Sequence, residues 1–135
     1  MKQRISVTTT ATLEVQNITA FVQDCVQALG SGLVLVSVPH TTAAIMIGED
    51  DRELRSDYVK VAREGIAYLK PFEHVRNNNP NTEAHVYSSL FGTQVTVALE
   101  NGSLGLGTYQ NLLFFELDGP KERHIDITFF PSAQA

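Results

Sequence analysis

The chain has 135 residues, 43% of them hydrophobic and 19% charged, a globular composition that suits one domain over residues 1–135 and excludes a disordered or fibrous protein. Ten basic side chains stand against fifteen acidic ones, a net charge of -5, with no run of Lys or Arg, which speaks against nucleic acid or an anionic membrane as the main partner. Cys25 is the single cysteine, so a disulfide framework and a cysteine-built zinc cage are excluded and any metal would rest on His and carboxylate.

Residues 4–15 carry Ile5, Val7, Leu13 and Val15 among four threonines and predict one long strand or a hairpin. Asn17 is a candidate N-cap for a helix on which Ile18, Phe21, Val22, Cys25, Val26 and Leu29 recur at helical spacing, with Gly30 as its stop. Cys25 lies inside that apolar stripe with no His or Lys one turn away to activate it, so it reads as a core thiol. Residues 32–38 and 43–47, GLVLVSV and AAIMI, read as two buried strands. Asp50 and Glu53 form a capping box for a long helix reaching about Lys70, with Leu54, Tyr58, Val61, Ala62, Gly65, Ile66 and Leu69 on one face and Pro71 closing it.

Residues 72–81 form a polar loop rich in Asn and Pro. A short helix over residues 82–90 follows, capped by Asn81 and ended by Gly92. Residues 93–100 alternate as a strand, and Asn101-Gly102 is the strongest hairpin signal in the chain. Residues 109–117 and 122–130 predict two more strands around the turn Asp118-Gly119-Pro120-Lys121. Strands dominate, without regular βαβ alternation, so the expected class is α+β: a mostly antiparallel, sandwich-like sheet with two main helices and one short one. No membrane-length apolar run and no signal-like N-terminus is visible, and the expected address is the reducing cytoplasm.

Three of the four histidines, His40, His74 and His85, fall at junctions where side chains can converge, whereas His124 shares a strand face with Asp126 and Thr128 and reads as a solvated surface residue. The spacing of the first three matches no local zinc motif. Acids crowd residues 48–53; Asp51 and Glu53 suit a helix N-terminus, while Glu49 precedes the helix and is free to serve elsewhere. Asp57 lies on the rim of the helix's apolar face. On the strand from Tyr109, Gln110 and Glu116 share the parity of Leu112 and Phe114 and require polar partners, for which Lys121 and Arg123 are in reach. The glycine-rich stretch over residues 102–108 lacks the order of a phosphate loop and reads as a hairpin with a bulge.

Taken in order, His40-Thr41-Thr42-Ala43, Gly48-Glu49-Asp50, Asp57, His74, Asn81 through His85, Leu104 through Gln110 and Glu116 through Arg123 resemble the YjbQ-like family over nearly the whole chain. The chain departs from that pattern at Tyr109, where the family usually has Trp, at Lys121, where it usually has Arg, and at Thr82, usually a small residue. Tyr109 keeps an aromatic wall; Lys121 keeps the charge without the bidentate fork. The resemblance implies a small homotrimer that carries the label secondary thiamine-phosphate synthase on the strength of a weak activity of that kind.

The resemblance also implies roles. His40, His74 and His85 would hold a divalent metal, zinc on the chemistry of three imidazoles and magnesium as the other option, at a cleft between subunits. Glu49 and Asp57 would move a proton or orient an imidazole, and His40 and His85 would share the catalytic set. Thr41, Thr42, Asn81, Gln110, Glu116, Lys121 and Arg123 would contact a small phosphorylated substrate. Pyrophosphate departure usually recruits magnesium on carboxylates and waters, which sits badly with three histidines and suggests a side activity. Two other readings stay open: zinc hydrolysis of a phosphate or amide bond with Glu49 as base, and a binding module that holds a metal or anion without turnover.

Overall fold

The computed structural model describes residues 1–74 and 80–133. The strands are β1 (Lys2–Thr8), β2 (Glu14–Asn17), β3 (Gly32–Ser37), β4 (Ala43–Gly48), β5 (Gln94–Glu100), β6 (Ser103–Leu104), β7 (Asn111–Glu116) and β8 (Glu122–Pro131). The helices are α1 (Thr19–Val26), α2 (Arg52–Glu64) and α3 (Thr82–Phe91), with a 3-10 turn at Ala67–Leu69. Every strand pair is antiparallel, in a five-stranded sheet of order β1-β8-β3-β5-β6 and a three-stranded sheet of order β2-β7-β4. The α+β sandwich expected from the sequence is the fold observed.

The predicted long first strand divides, because β1 pairs with β8 while β2 crosses to the other sheet and pairs with β7. Asn17 ends β2, and its Oδ1 accepts from the Thr19 N–H and hydroxyl, so the expected cap acts from one place earlier. The capping of α2 falls to Asp51, whose carboxylate accepts the Leu54 N–H at 2.8 Å, while Asp50 is drawn off to Arg55. That helix ends at Gly65, and the stretch to Lys70 is a separate 3-10 turn. Asn101 and Gly102, both at positive φ, make the two-residue connection between β5 and β6 that their dipeptide predicts.

Two cores lie on opposite faces of the three-stranded sheet. Leu112 and Phe114 of β7 face the five-stranded sheet, joining Val34, Val36, Ile125, Ile127 and the α1 residues Val22 and Val26. Cys25 packs against this core as expected, and burial pushes its thiol up, away from reactivity. Leu113 and Phe115 face the other way, against Ala62 of α2 and Ala84 and Tyr87 of α3. Burial on both faces explains the unbroken LLFF run, since each parity of β7 meets a different core. The outer face of the five-stranded sheet has no such cover: Leu33 and Phe130 are about half exposed. The run over residues 32–38 is therefore buried on one side, where the sequence suggested both.

Candidate functional site

The start of β4 collects most of the residues singled out above. Thr42 closes the approach to β4, and its carbonyl accepts the Leu117 N–H just past the end of β7. There Glu116 is completely buried, its side chain gripped by the Arg123 guanidinium at 2.9 and 2.5 Å. Its carboxylate also accepts the Thr9 hydroxyl and the N–H groups of Leu117 and Asp118, and Arg123 turns its remaining reach to the Thr42 carbonyl and hydroxyl. Burial alone would push the Glu116 carboxyl up; Arg123, the Asp118 N–H and Thr9 outweigh it and hold the group below its ordinary value. Thr42, Glu116 and Arg123 were expected to contact substrate. All three are sealed from solvent and satisfied by one another, so they brace the corner instead.

From this brace a second chain of bonds runs outward. Lys121 reaches the Asp118 carboxylate at 3.1 Å, the same carboxylate accepts the Asn81 amide at 3.2 Å, and the Asn81 carbonyl oxygen lies 3.1 Å from Nε2 of His74. Asn81 was expected to cap α3, but its amide makes no cap bond and bridges instead. Because Asp118 accepts, the amide nitrogen of Asn81 faces it and the carbonyl faces His74. Nε2 of His74 therefore carries a hydrogen, and its Nδ1 lone pair points elsewhere. The ring of His85, one turn into α3, stands edge-on to His74 with centroids 5.0 Å apart. A cavity of about 180 Å³ opens behind Asn81 and Asp118, floored by Leu13, Ala84 and Leu117.

His40, on the approach to β4, is held from a different direction. Its Nε2 accepts the backbone N–H of His124 at 2.9 Å, and the two imidazoles stack with centroids 6.1 Å apart. His124 is half-buried, where the sequence suggested a solvated residue, because its strand neighbour on the corner side is this ring. No local pattern marks this pairing, which needs the register of β8. Burial, then Arg123 and a charge on His124, push the His40 imidazolium below its ordinary value. Thr41 beside it is exposed.

The other expected residues lie at the far end of the sheet. Glu49 follows Gly48, so the length of β4, about 20 Å at strand rise, separates it from His40. Gly48 pairs with Asn111, which places Gln110 at that same end, where its side chain accepts the Gly107 N–H at 2.7 Å. Asp57 is exposed midway along α2. A groove of about 460 Å³ runs past Gln110, Asn111, Asn17 and Leu106. One chain thus brings His74, His85, Asn81, Asp118 and Lys121 together and leaves Glu49, Asp57 and Gln110 apart from them. Among the described residues no three His, Cys, Asp or Glu side chains converge as a metal set. The polar loop predicted over residues 72–81 lies in part, at 75–79, outside the described residues.

A family model described as UPF0047 protein YjbQ-like matches residues 3–132. A UPF0047 protein of Archaeoglobus fulgidus is 39% identical over 90% of this chain and 94% of its own. UPF0047 protein YugU of Bacillus subtilis is 38% identical over 91% of this chain and 94% of its own. Among solved structures, a hypothetical protein of Aeropyrum pernix superposes with a TM-score of 0.90 at 31% identity, covering 98% of this chain and 99% of that one. A protein of unknown function from Sulfolobus solfataricus gives 0.90 at 30% identity, covering 98% and 97%. The chain belongs to the YjbQ-like, UPF0047 family. No helix among the described residues is long and apolar enough to cross a membrane.

Proposed function

We propose that this protein is a small-molecule enzyme of the cytoplasm, with a histidine-built metal or anion site at the corner of β4, β7 and α3, completed by a neighbouring copy in a homotrimer. The observation that carries this reading is the bond chain from Lys121 through Asp118 and Asn81 to His74. A carboxylate that fixes an imidazole tautomer through an intermediary resembles the support found behind histidine ligands of metals, and it leaves the His74 Nδ1 lone pair without a hydrogen bond to any described residue, on a ring edge-on to His85. These donors fit zinc, which takes neutral imidazoles, better than magnesium, which favours oxygen ligands. Zinc held there would supply a Lewis acid for a phosphoryl oxygen.

The chain's own groups do the rest. Asn81 and Asp118 set the His74 ring, and Lys121, exposed beside Asp118, offers its ammonium to an anionic substrate. Since Glu49, Asp57 and Gln110 stand away from this corner, they would act in a site only by meeting the corner of another copy. The substrate class that suits two imidazoles and an ammonium is a small phosphorylated molecule, and thiamine-phosphate synthesis is the reaction to test first.

The test is elemental analysis of tag-free protein together with its sedimentation and its turnover of the pyrimidine diphosphate and thiazole phosphate pair. Stoichiometric zinc in a trimer, lost in His85→Ala along with turnover, is the expected result. A metal-free monomer without turnover overturns the reading.

A further inference from the structure

We propose that His40 stands outside the metal set and acts as a fixed hydrogen-bond donor, its Nδ1–H taking a phosphoryl or carboxylate oxygen of the ligand. The inference rests on the reading above in one respect, that the corner binds a small oxyanion. Its core is independent of that reading and follows from which nitrogen of each ring is already engaged.

A backbone amide can donate but cannot accept. The His124 N–H at 2.9 Å therefore requires a lone pair on Nε2 of His40, and in a neutral imidazole the hydrogen then sits on Nδ1. A metal on Nε2 would have to displace that N–H, and the amide would lose its partner. A metal on Nδ1 would drive the hydrogen to Nε2, against the same N–H. The stacked His124 ring holds the imidazole in this pose. Nδ1 makes no hydrogen bond to any described residue, and no buried side-chain nitrogen or oxygen among the described residues is left without a partner, so none of the described residues competes with a ligand for Nδ1–H.

His74 is fixed in the opposite sense. Its Nε2–H is committed to Asn81, and what it presents is a lone pair. The two imidazoles are therefore chemically different: His74 presents a lone pair that accepts a cation or proton, and His40 can only donate. A neutral, immobile donor suits an oxygen bearing negative charge, which gains a charge-assisted hydrogen bond without a competing proton transfer.

Long-range ¹H–¹⁵N correlation spectra of the full-length, ¹⁵N-labelled wild type test the tautomers directly, with the His40 signals assigned by their loss in His40→Asn. The expected result is an Nδ1–H form for His40 and an Nε2–H form for His74. An Nε2–H form for His40 overturns the proposal whatever the function proves to be. On adding one equivalent of zinc, the His74 and His85 nitrogens should move and those of His40 should stay; zinc-dependent movement of a His40 nitrogen to a ligated position also overturns it. If no histidine moves, the metal reading fails while the tautomer result still decides this one. Titration with inorganic phosphate should show affinity falling roughly 10-fold or more in His40→Ala and largely restored in His40→Asn, which keeps a donor near Nδ1. Equal phosphate affinity in wild type and His40→Ala, or none in the wild type, removes the donor role.

Discussion

At the end of the three-stranded sheet where β4 begins, the Glu116–Arg123 ion pair and Thr42 are locked together and see almost no solvent, and Asn81 ties His74 to Asp118 beside them. At the end where β4 closes, Glu49 and Gln110 are exposed, Tyr109 is 72% exposed, and the main charged contact, Asp50 with Arg55, lies at the surface. The first end is finished within one chain. The second holds a part-buried cluster of Asn17, Asp50, Arg55 and Asn111, but Glu49, Tyr109 and Gln110 beside it stand in solvent. Pre-organised chemistry needs rigid neighbours, which is why the proposed site is put at the first end, and the second would gain rigidity only from something that covers it.

The largest expected effect comes from breaking the first end. Glu116→Gln leaves the Arg123 guanidinium buried without its counter-charge, and denaturant titration should show a loss of about 3–5 kcal/mol. Replacing both partners by apolar residues should cost less than that single change, because no charge is then stranded. Acid should expose the same dependence. The folded Glu116 carboxyl lies below its ordinary value, so its stabilisation is complete above the ordinary glutamate range and is lost as pH falls through the lower folded value. The folded His40 also lies below its ordinary value of 6.5, so its contribution is complete above that value and declines as pH drops beneath it. A urea midpoint followed from pH 8 downward should fall in two stages, and His40→Asn should remove the first.

Asn81→Leu should act more mildly and more selectively. It severs His74 from Asp118 while α3 keeps its length, since Asn81 makes no side-chain cap bond. Zinc affinity measured by competition should weaken about 10–100-fold with the melting temperature little moved. At the opposite end, Arg55→Ala removes a partly exposed pair with Asp50 and a bond to the Val15 carbonyl, and its expected cost is below about 1 kcal/mol.

Legibility in the sequence follows the same division. The sandwich, the helices and the Asn101-Gly102 hairpin came from periodicity and turn chemistry, which act within a few residues. The need of Glu116 for a polar partner was legible in the same way, from its parity with Leu112 and Phe114, but Lys121 and Arg123 were equally near in the chain and only the fold selects Arg123. The stacking of His40 on His124 joins residues 84 apart through the β8 register, and the split of β1 from β2 depends on which sheet edge each strand meets; neither leaves a local trace. The bridging of Asn81 was hidden for another reason. An Asn before a helix is read as a cap, and a carboxylate elsewhere in the fold outbid the helix for its amide.

Tyr109→Ala is the smallest perturbation and the one that bears most on what covers the open end. The ring makes little contact within the chain, so monomer stability should change by no more than about 0.5 kcal/mol. The neighbouring groove presents Gln110 and Asn111 amides beside Leu104 and Leu106, a mixture of hydrogen-bonding and apolar surface that a flanking aromatic would anchor against a second copy. If the proposed homotrimer forms and closes head to tail, with this end of one copy on the finished corner of the next, then Tyr109→Ala should shift sedimentation toward the monomer and weaken phosphate binding in step, though it lies a strand's length from His40. An unchanged sedimentation profile would place the interface elsewhere and leave Gln110 and Glu49 outside the site.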